Sequence, residues 1–191
     1  EMPGLYYNTA VIVDSDGTIL GQYRKDDRRH LDRFWEKFYF RPGNQGYPVF
    51  DTAVGKVGLY ICYDRHFPEG WRELGLNGAE MVFNPNATKP GLSNRLWEVE
   101  GPAAVVANGL YVPQPNRVGR EDNEYGDLAV DFYGTSQVID PRGNFVGERG
   151  SGDSEEILIR DLDMDMIRQM RDDWQFYRDR RPESYTSIPK P

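Results

Sequence analysis

Two apolar runs open the chain, "NTAVIV" and "TILGQYRK", and they flank the polar stretch "DSDG". Asp16-Gly17 supplies the left-handed backbone that a short connection needs, so the pattern predicts two strands joined as a hairpin. "YPVFDT" and "KVGLYIC" predict two further strands around Ala53-Val54-Gly55, the second apolar enough to be buried on both faces. Pro68, Glu69 and the Trp71/Leu74 pair then suit a short helix, with proline in the first turn and an acid at the positive end of the dipole. Gly75 or Gly78 is expected to end it. "AEMVFNP" predicts another buried strand, and Ser93 to Asn108 a helix capped by Ser93 and perturbed by Pro102.

The second half continues the alternation. "SQVID", "NFVGE" and "EEILIRDLD" predict strands separated by "PRG" and the polar "RGSGDS", and Asp163 to Asp173 predicts an amphipathic helix capped by Asp163. The tail from 174 to 191, with "RRPESYTSIPK", has no core pattern. Without repeats or a low-complexity linker, the reading is a layered α/β domain in which hairpins alternate with helices.

Composition limits what such a domain does. With 191 residues, 38% hydrophobic and 13% aromatic, the chain can bury a sizeable core and fits one domain. The 31 acidic against 23 basic residues leave a net charge of −8, which argues against a general polyanion binder, so no nucleic-acid partner is expected. No run approaches membrane-spanning length and nothing resembles a signal peptide. With one cysteine and hence no internal disulfide, a reducing cytoplasm is the expected compartment. One Cys and two widely separated His make no recognisable metal-ligand set, so neither metal nor cofactor is expected. "EMPGLYYNTAVIV" enters a strand-like run almost at once, so an upstream part of a longer protein is expected to be absent.

The lone cysteine stands in "GLYICYDRHFPEGW". A buried strand that ends in Cys62 and turns toward a helix at Pro68 places the sulfur near backbone N–H groups and a helix N-terminus, both of which stabilise a thiolate. The competing reading is a small buried apolar residue. Asp64, Arg65, His66 and Glu69 follow closely and weigh against an inert core thiol. Lys25 ends the strand "TILGQYRK", where a side chain can enter a cleft, and Glu36 sits among aromatics that lower the local dielectric. Lys25 taken alone reads as a solvated surface lysine, and the combination with Cys62 and Glu36 reverses that.

Taken together, "YNTAVIVDSDGTILGQYRK", "FWEKFYFRPGN", "ICYDRHFPEGWRELGLNGAE", "FNPNAT" and "NRVG" resemble, in order and over most of the chain, the nitrilase superfamily of carbon–nitrogen hydrolases. Within it, the Cys-Tyr-Asp-Arg-His-Phe-Pro-Glu segment is most similar to β-ureidopropionase and related N-carbamoyl amino acid or amine amidohydrolases. The resemblance implies a four-layer α-β-β-α sandwich lacking its N-terminal segment, with residues 1–191 the C-terminal portion of one domain. It implies Cys62 as nucleophile, Lys25 as the oxyanion-stabilising lysine and Glu36 as a glutamate beside the lysine and substrate. The family's base glutamate would lie upstream of the hairpin. Tyr63 would offer a second oxyanion donor through its N–H, and Arg65 would hold a substrate carboxylate with a planar fork. Arg65 in an ion pair with Asp64 or Glu69 is the competing reading. His66, Asn86 and Thr88 are expected at the substrate, though Asn and Thr also cap turns.

One stretch departs from the family pattern. Where relatives carry a Thr/Met-His-Ile-Pro-like loop, Lys25 is followed by Asp26, Asp27, Arg28, Arg29 and His30, and a solvated loop is favoured over a new substrate contact for residues 26–33. The implied function is hydrolysis of a non-peptide carbon–nitrogen bond, in an N-carbamoyl amino acid such as N-carbamoyl-β-alanine. N-carbamoylputrescine, an aliphatic amide, or a non-catalytic role as an assembly subunit are the alternatives. Such proteins self-associate, which makes a homodimer or higher homo-oligomer the expected state and Trp71, Trp174, Phe176 and Tyr177 candidate interface residues.

Overall fold

A computed structural model describes residues 3–31, 34–122 and 129–188; Asp32 and Arg33 of the charged loop and the end of the tail past 188 lie outside them. Strand β1 (Thr9–Val13) runs antiparallel to β2 (Ile19–Arg24). Gly17 takes the left-handed conformation at φ 87°, and the Thr18 N–H donates to Asp16 Oδ1. A short ladder of β3 (His30–Leu31) and β4 (Phe34–Trp35) delivers the chain to a one-turn helix, α1 (Glu36–Tyr39).

Strands β5 (Val49–Thr52) and β6 (Gly55–Leu59) form the next antiparallel pair. A 3-10 turn, Cys62–His66, leads into α2 (Pro68–Leu76), and β7 (Met81–Phe83) returns parallel to β6. Helix α3 (Leu92–Asn108) crosses over to β8 (Val112–Gln114), which lies beside β7 through Val82 N–H to Tyr111 O and Asn84 N–H to Pro113 O. After the hairpin of β9 (Val118–Glu121) and β10 (Val130–Tyr133), β11 (Gln137–Ile139) pairs antiparallel with β8. The order is therefore β5-β6-β7-β8-β11. Helices α4 (Asp165–Asp173) and α5 (Phe176–Asp179) complete the chain with a last 3-10 turn, Pro182–Ser184.

Helices α2 and α3 cover one face of this sheet. Leu74, Ala79 and Val82 crowd around the α-carbon of Gly58, where a side chain would not fit. Leu74, Val82, Val105, Leu110, Val112 and Ile139 are completely buried, each such side chain contributing about 1.5–3 kcal/mol. The α/β layering expected from the sequence is the one observed. Among the described residues, no helix is long and apolar enough to cross a membrane.

Several local expectations are corrected. Gly75 lies inside α2 beneath the Tyr177 hydroxyl, and the helix ends at Leu76, followed by left-handed Gly78. Ser93 does not cap α3, which begins at Leu92 after Gly91; the Gly91 N–H bonds Asn94 Oδ1, while the Ser93 hydroxyl turns to Tyr133 and Arg65. Helix α4 starts at Asp165, and Asp163 caps it from outside by accepting the Asp165 N–H. "NFVGE" makes only the bridge of Phe145 to Ile139, and "EEILIRDLD" forms no strand among the described residues. Its alternation reads as a sheet face, but a strand also needs a neighbour's N–H and C=O groups. Ile157 and Ile159 are accordingly 88% and 82% exposed. Trp71 is core, its indole N–H on Arg65 O, and Tyr177 is half-buried with its hydroxyl on Asn108 O. Trp174 and Phe176 stack on each other at the surface.

Candidate active site

The buried run Val57 to Ile61 ends abruptly at Cys62, which takes φ 49°, a left-handed conformation that costs a non-glycine residue about 1–2 kcal/mol. Hydrogen bonds on both sides hold it there. The Cys62 N–H donates to Pro85 O at 2.9 Å, and Arg65 Nη1 reaches the Cys62 carbonyl at 3.4 Å. Such strain is retained where the surroundings over-determine it, as functional sites do.

Cys62 opens into a cavity of about 270 Å³ whose wall includes Asn8, Arg29, Glu36, Tyr63 and Asn86. That volume suits a small molecule. Lys25 lies behind the wall, 2% exposed, and its Nζ donates to both Glu36 oxygens at 2.7 Å. Glu36 also accepts from Asn8 Nδ2 and from the Arg29 N–H. The carboxylate is thus held in one orientation facing the thiol's cavity. Cys62 and Glu36, distant in sequence, line one cavity, and Lys25 is paired with Glu36 behind its wall.

The charged loop helps build this arrangement, which corrects the solvated-loop expectation. Residues 26–29 are half-buried; the Asp27 N–H donates to Asp64, the Arg29 N–H to Glu36, and Arg28 to Phe40 O. Desolvation raises the Asp27 carboxyl above its ordinary range, with Asp26 and Glu69 adding to it. His30 is exposed and takes no place at the cavity.

Four side chains expected at the substrate sit elsewhere or are already engaged. Arg65, 3% exposed, does not line the cavity, its Nε on Glu100 Oε2 at 3.1 Å, Nη1 on Asn86 Oδ1 at 2.9 Å and Nη2 on Ser93 Oγ at 3.3 Å. Its partner is Glu100, not Asp64 or Glu69. His66 Nδ1 lies 2.7 Å from the other Glu100 oxygen. Asn86 reaches the cavity wall, but its amide is occupied by Arg65 and Asn84. Thr88 is buried behind it, its N–H on Asn116 and its hydroxyl without a partner among the described residues. Tyr63 does line the cavity, with its ring against His66 and Phe67.

Asn8 and Glu100 escaped attention in the sequence, and Asp64 and Arg29 stood out only as nearby charges. Asn8 only precedes an apolar run, and Glu100 reads as the polar face of α3. Asp64 is fully buried, and burial pushes its carboxyl up to about 7 against the donors that favour its ionised form. No group of three or more His, Cys, Asp or Glu able to hold a metal occurs among the described residues.

Residues 1–172 match the family described as carbon-nitrogen hydrolase. The chain is 40% identical to N-carbamoylputrescine amidase of Arabidopsis thaliana, over 94% of this chain and 62% of that protein. It is 37% identical to beta-ureidopropionase of the same plant, over 95% of this chain and 47% of that protein. It superposes on the crystal structure of a carbon-nitrogen hydrolase from Helicobacter pylori G27 with a TM-score of 0.93 at 36% identity, covering 99% of this chain and 68% of the other. The chain spans less than two thirds of the length of both plant relatives.

Proposed function

Because this chain belongs to the carbon–nitrogen hydrolase family, we propose that it forms the nucleophile-bearing part of an enzyme that hydrolyses the carbamoyl group of an N-carbamoyl amine or amino acid. The observation that carries this reading is strained Cys62 opening on the cavity that Glu36 lines, with Lys25 locked to that carboxylate. For a substrate R–NH–CO–NH₂, the Cys62 thiolate attacks the carbonyl carbon and ammonia leaves. An S-carbamoyl thioester remains, and water releases a carbamic acid that breaks down to amine and carbon dioxide. Lys25 and the Tyr63 N–H stabilise the tetrahedral oxyanion, each such donor being worth ~3 kcal/mol. The protons are handled by a glutamate that the family resemblance places upstream of β1, while Glu36 holds Lys25.

N-Carbamoyl-β-alanine is the substrate proposed, with N-carbamoylputrescine as the rival that the plant relative's name raises. Arg29, on the cavity wall, is the cation that supports the acidic substrate. The proposal extends to a cytoplasmic enzyme that self-associates, supported by the free thiol and by the exposed Trp174–Phe176 stack. Intact-mass analysis of the full-length protein should reveal a substrate-derived adduct that Cys62→Ala lacks, with turnover abolished. Full turnover in Cys62→Ala would eliminate the mechanism. A panel of N-carbamoyl-β-alanine, N-carbamoyl-D- and L-amino acids, N-carbamoylputrescine and simple amides then ranks the substrates. No turnover of any of them would favour an assembly subunit.

A further inference from the structure

Asp64 accepts three hydrogen bonds in a completely buried position: from Tyr23 Oη at 2.8 Å, from the Asp27 N–H at 2.8 Å and from the Ile61 N–H at 3.0 Å. Burying a carboxylate costs several kcal/mol, and an apolar residue of like volume often serves stability as well or better. The identity of its partners suggests what the charge does. Tyr23 lies on β2 and precedes Lys25 by two; Lys25 directly follows the strand's last residue and its N–H still donates to Asn8 O, so both side chains leave on the same face, and both are buried. Asp27 follows Lys25 by two and begins the loop whose Arg29 N–H holds Glu36. Ile61 is the residue before Cys62, and the Asp64 N–H returns to its carbonyl to close the turn.

We infer that Asp64 is a positioning residue, a clamp that brackets Lys25 from both sides and fixes its strand in register with the turn presenting Cys62. The inference rests on the function proposed above. The clamp touches no reacting atom; it sets where the oxyanion donor stands relative to the sulfur. A displacement of about 1 Å between such groups is enough for a roughly 100-fold loss of rate. No other side chain among the described residues is shown bonding to both the Lys25 segment and the Cys62 turn.

The test compares turnover with a reaction at the same sulfur that needs no oxyanion donor. In the full-length protein, Asp64→Asn puts an amide N–H₂ among donors, so kcat should fall by roughly 100-fold with KM within about threefold. Alkylation of Cys62 by iodoacetamide, which requires only an accessible thiolate, should stay within about twofold. A kcat near wild type in Asp64→Asn overturns the clamp. If Asp64→Asn fails to fold, losing its circular dichroism, Tyr23→Phe decides: removing one donor should lower kcat about tenfold at unchanged alkylation, and a wild-type kcat overturns the inference. Cys62→Ala separates the two levels. Its retained turnover would sink the mechanism itself, whereas a dead Cys62→Ala beside a fully active Asp64→Asn would remove only the clamp.

Discussion

The Lys25 ammonium lies 2.7 Å from both carboxylate oxygens of Glu36, in a pair whose lysine side chain is 1% and whose glutamate side chain is 17% exposed. Neither charge is solvated well enough to stand alone, so each depends on the other. Glu36→Gln leaves a buried ammonium with a neutral partner, and unfolding free energy should fall by about 3–5 kcal/mol. Turnover should fall with it. Urea denaturation and steady-state kinetics on the same preparation check both; a variant as stable as wild type would mean that the pair is solvated in the working protein.

Gly43 controls the lysine from outside the site. Its N–H donates to Lys25 O, and a Cβ there would meet the Arg24 carbonyl oxygen far inside van der Waals contact, with the Lys25 carbonyl at 3.2 Å. Backbone atoms at a strand end cannot move aside as a flexible side chain can. Gly43→Ala should therefore cost about 1–3 kcal/mol of stability and lower kcat more than KM. Unchanged thermal melting and kcat would show that the strand end yields freely.

Arg65 is tied to Glu100, Asn86 and Ser93, so its effect on catalysis should not depend on the substrate's charge. Arg65→Lys keeps the cation but loses the fork that spans these three partners and the Cys62 carbonyl. kcat/KM is expected to fall by roughly 10- to 100-fold, equally for N-carbamoyl-β-alanine and for a neutral carbamoyl amide. A loss confined to the acidic substrate would return Arg65 to carboxylate binding.

Asp64 should leave a signature in the pH dependence of stability. The unfolded carboxyl releases its proton near 3.8, whereas burial holds the folded one to about 7. The native state binds more protons between these values, so Asp64 makes stability fall as pH rises through that window and adds no slope above it. From pH 5 to pH 7 its share is on the order of 2 kcal/mol. Urea midpoints at the two values should show that decline in wild type and a smaller one in Asp64→Asn. Identical declines would mean that the three donors keep the carboxylate ionised throughout.

Expression of residues 1–191 alone asks which carboxylate is the base. No ammonia release is expected, since the proposed base lies upstream of β1. Ammonia release by the segment itself would instead place the base within it, with Glu36 as the candidate.

The β1–β2 hairpin, the buried β6 run and α2 were legible because each is set by local chemistry: period-two alternation, a glycine able to take positive φ, a proline whose missing N–H suits a first helical turn. The proposed trio of Cys62, Lys25 and Glu36 rests on the order of the sequence blocks and their family resemblance. What a side chain touches was not, because a partner across the fold leaves no mark on local spacing. Arg65 stands three residues from Cys62, yet its guanidinium turns to Glu100 on α3; Asp26 to Arg29 read as a solvated charge run, yet the Asp27 and Arg29 N–H groups bind Asp64 and Glu36. "EEILIRDLD" shows the same limit from the other side: alternation determines which residues would share a sheet face, and only a neighbouring strand's N–H and C=O groups decide whether the sheet forms there.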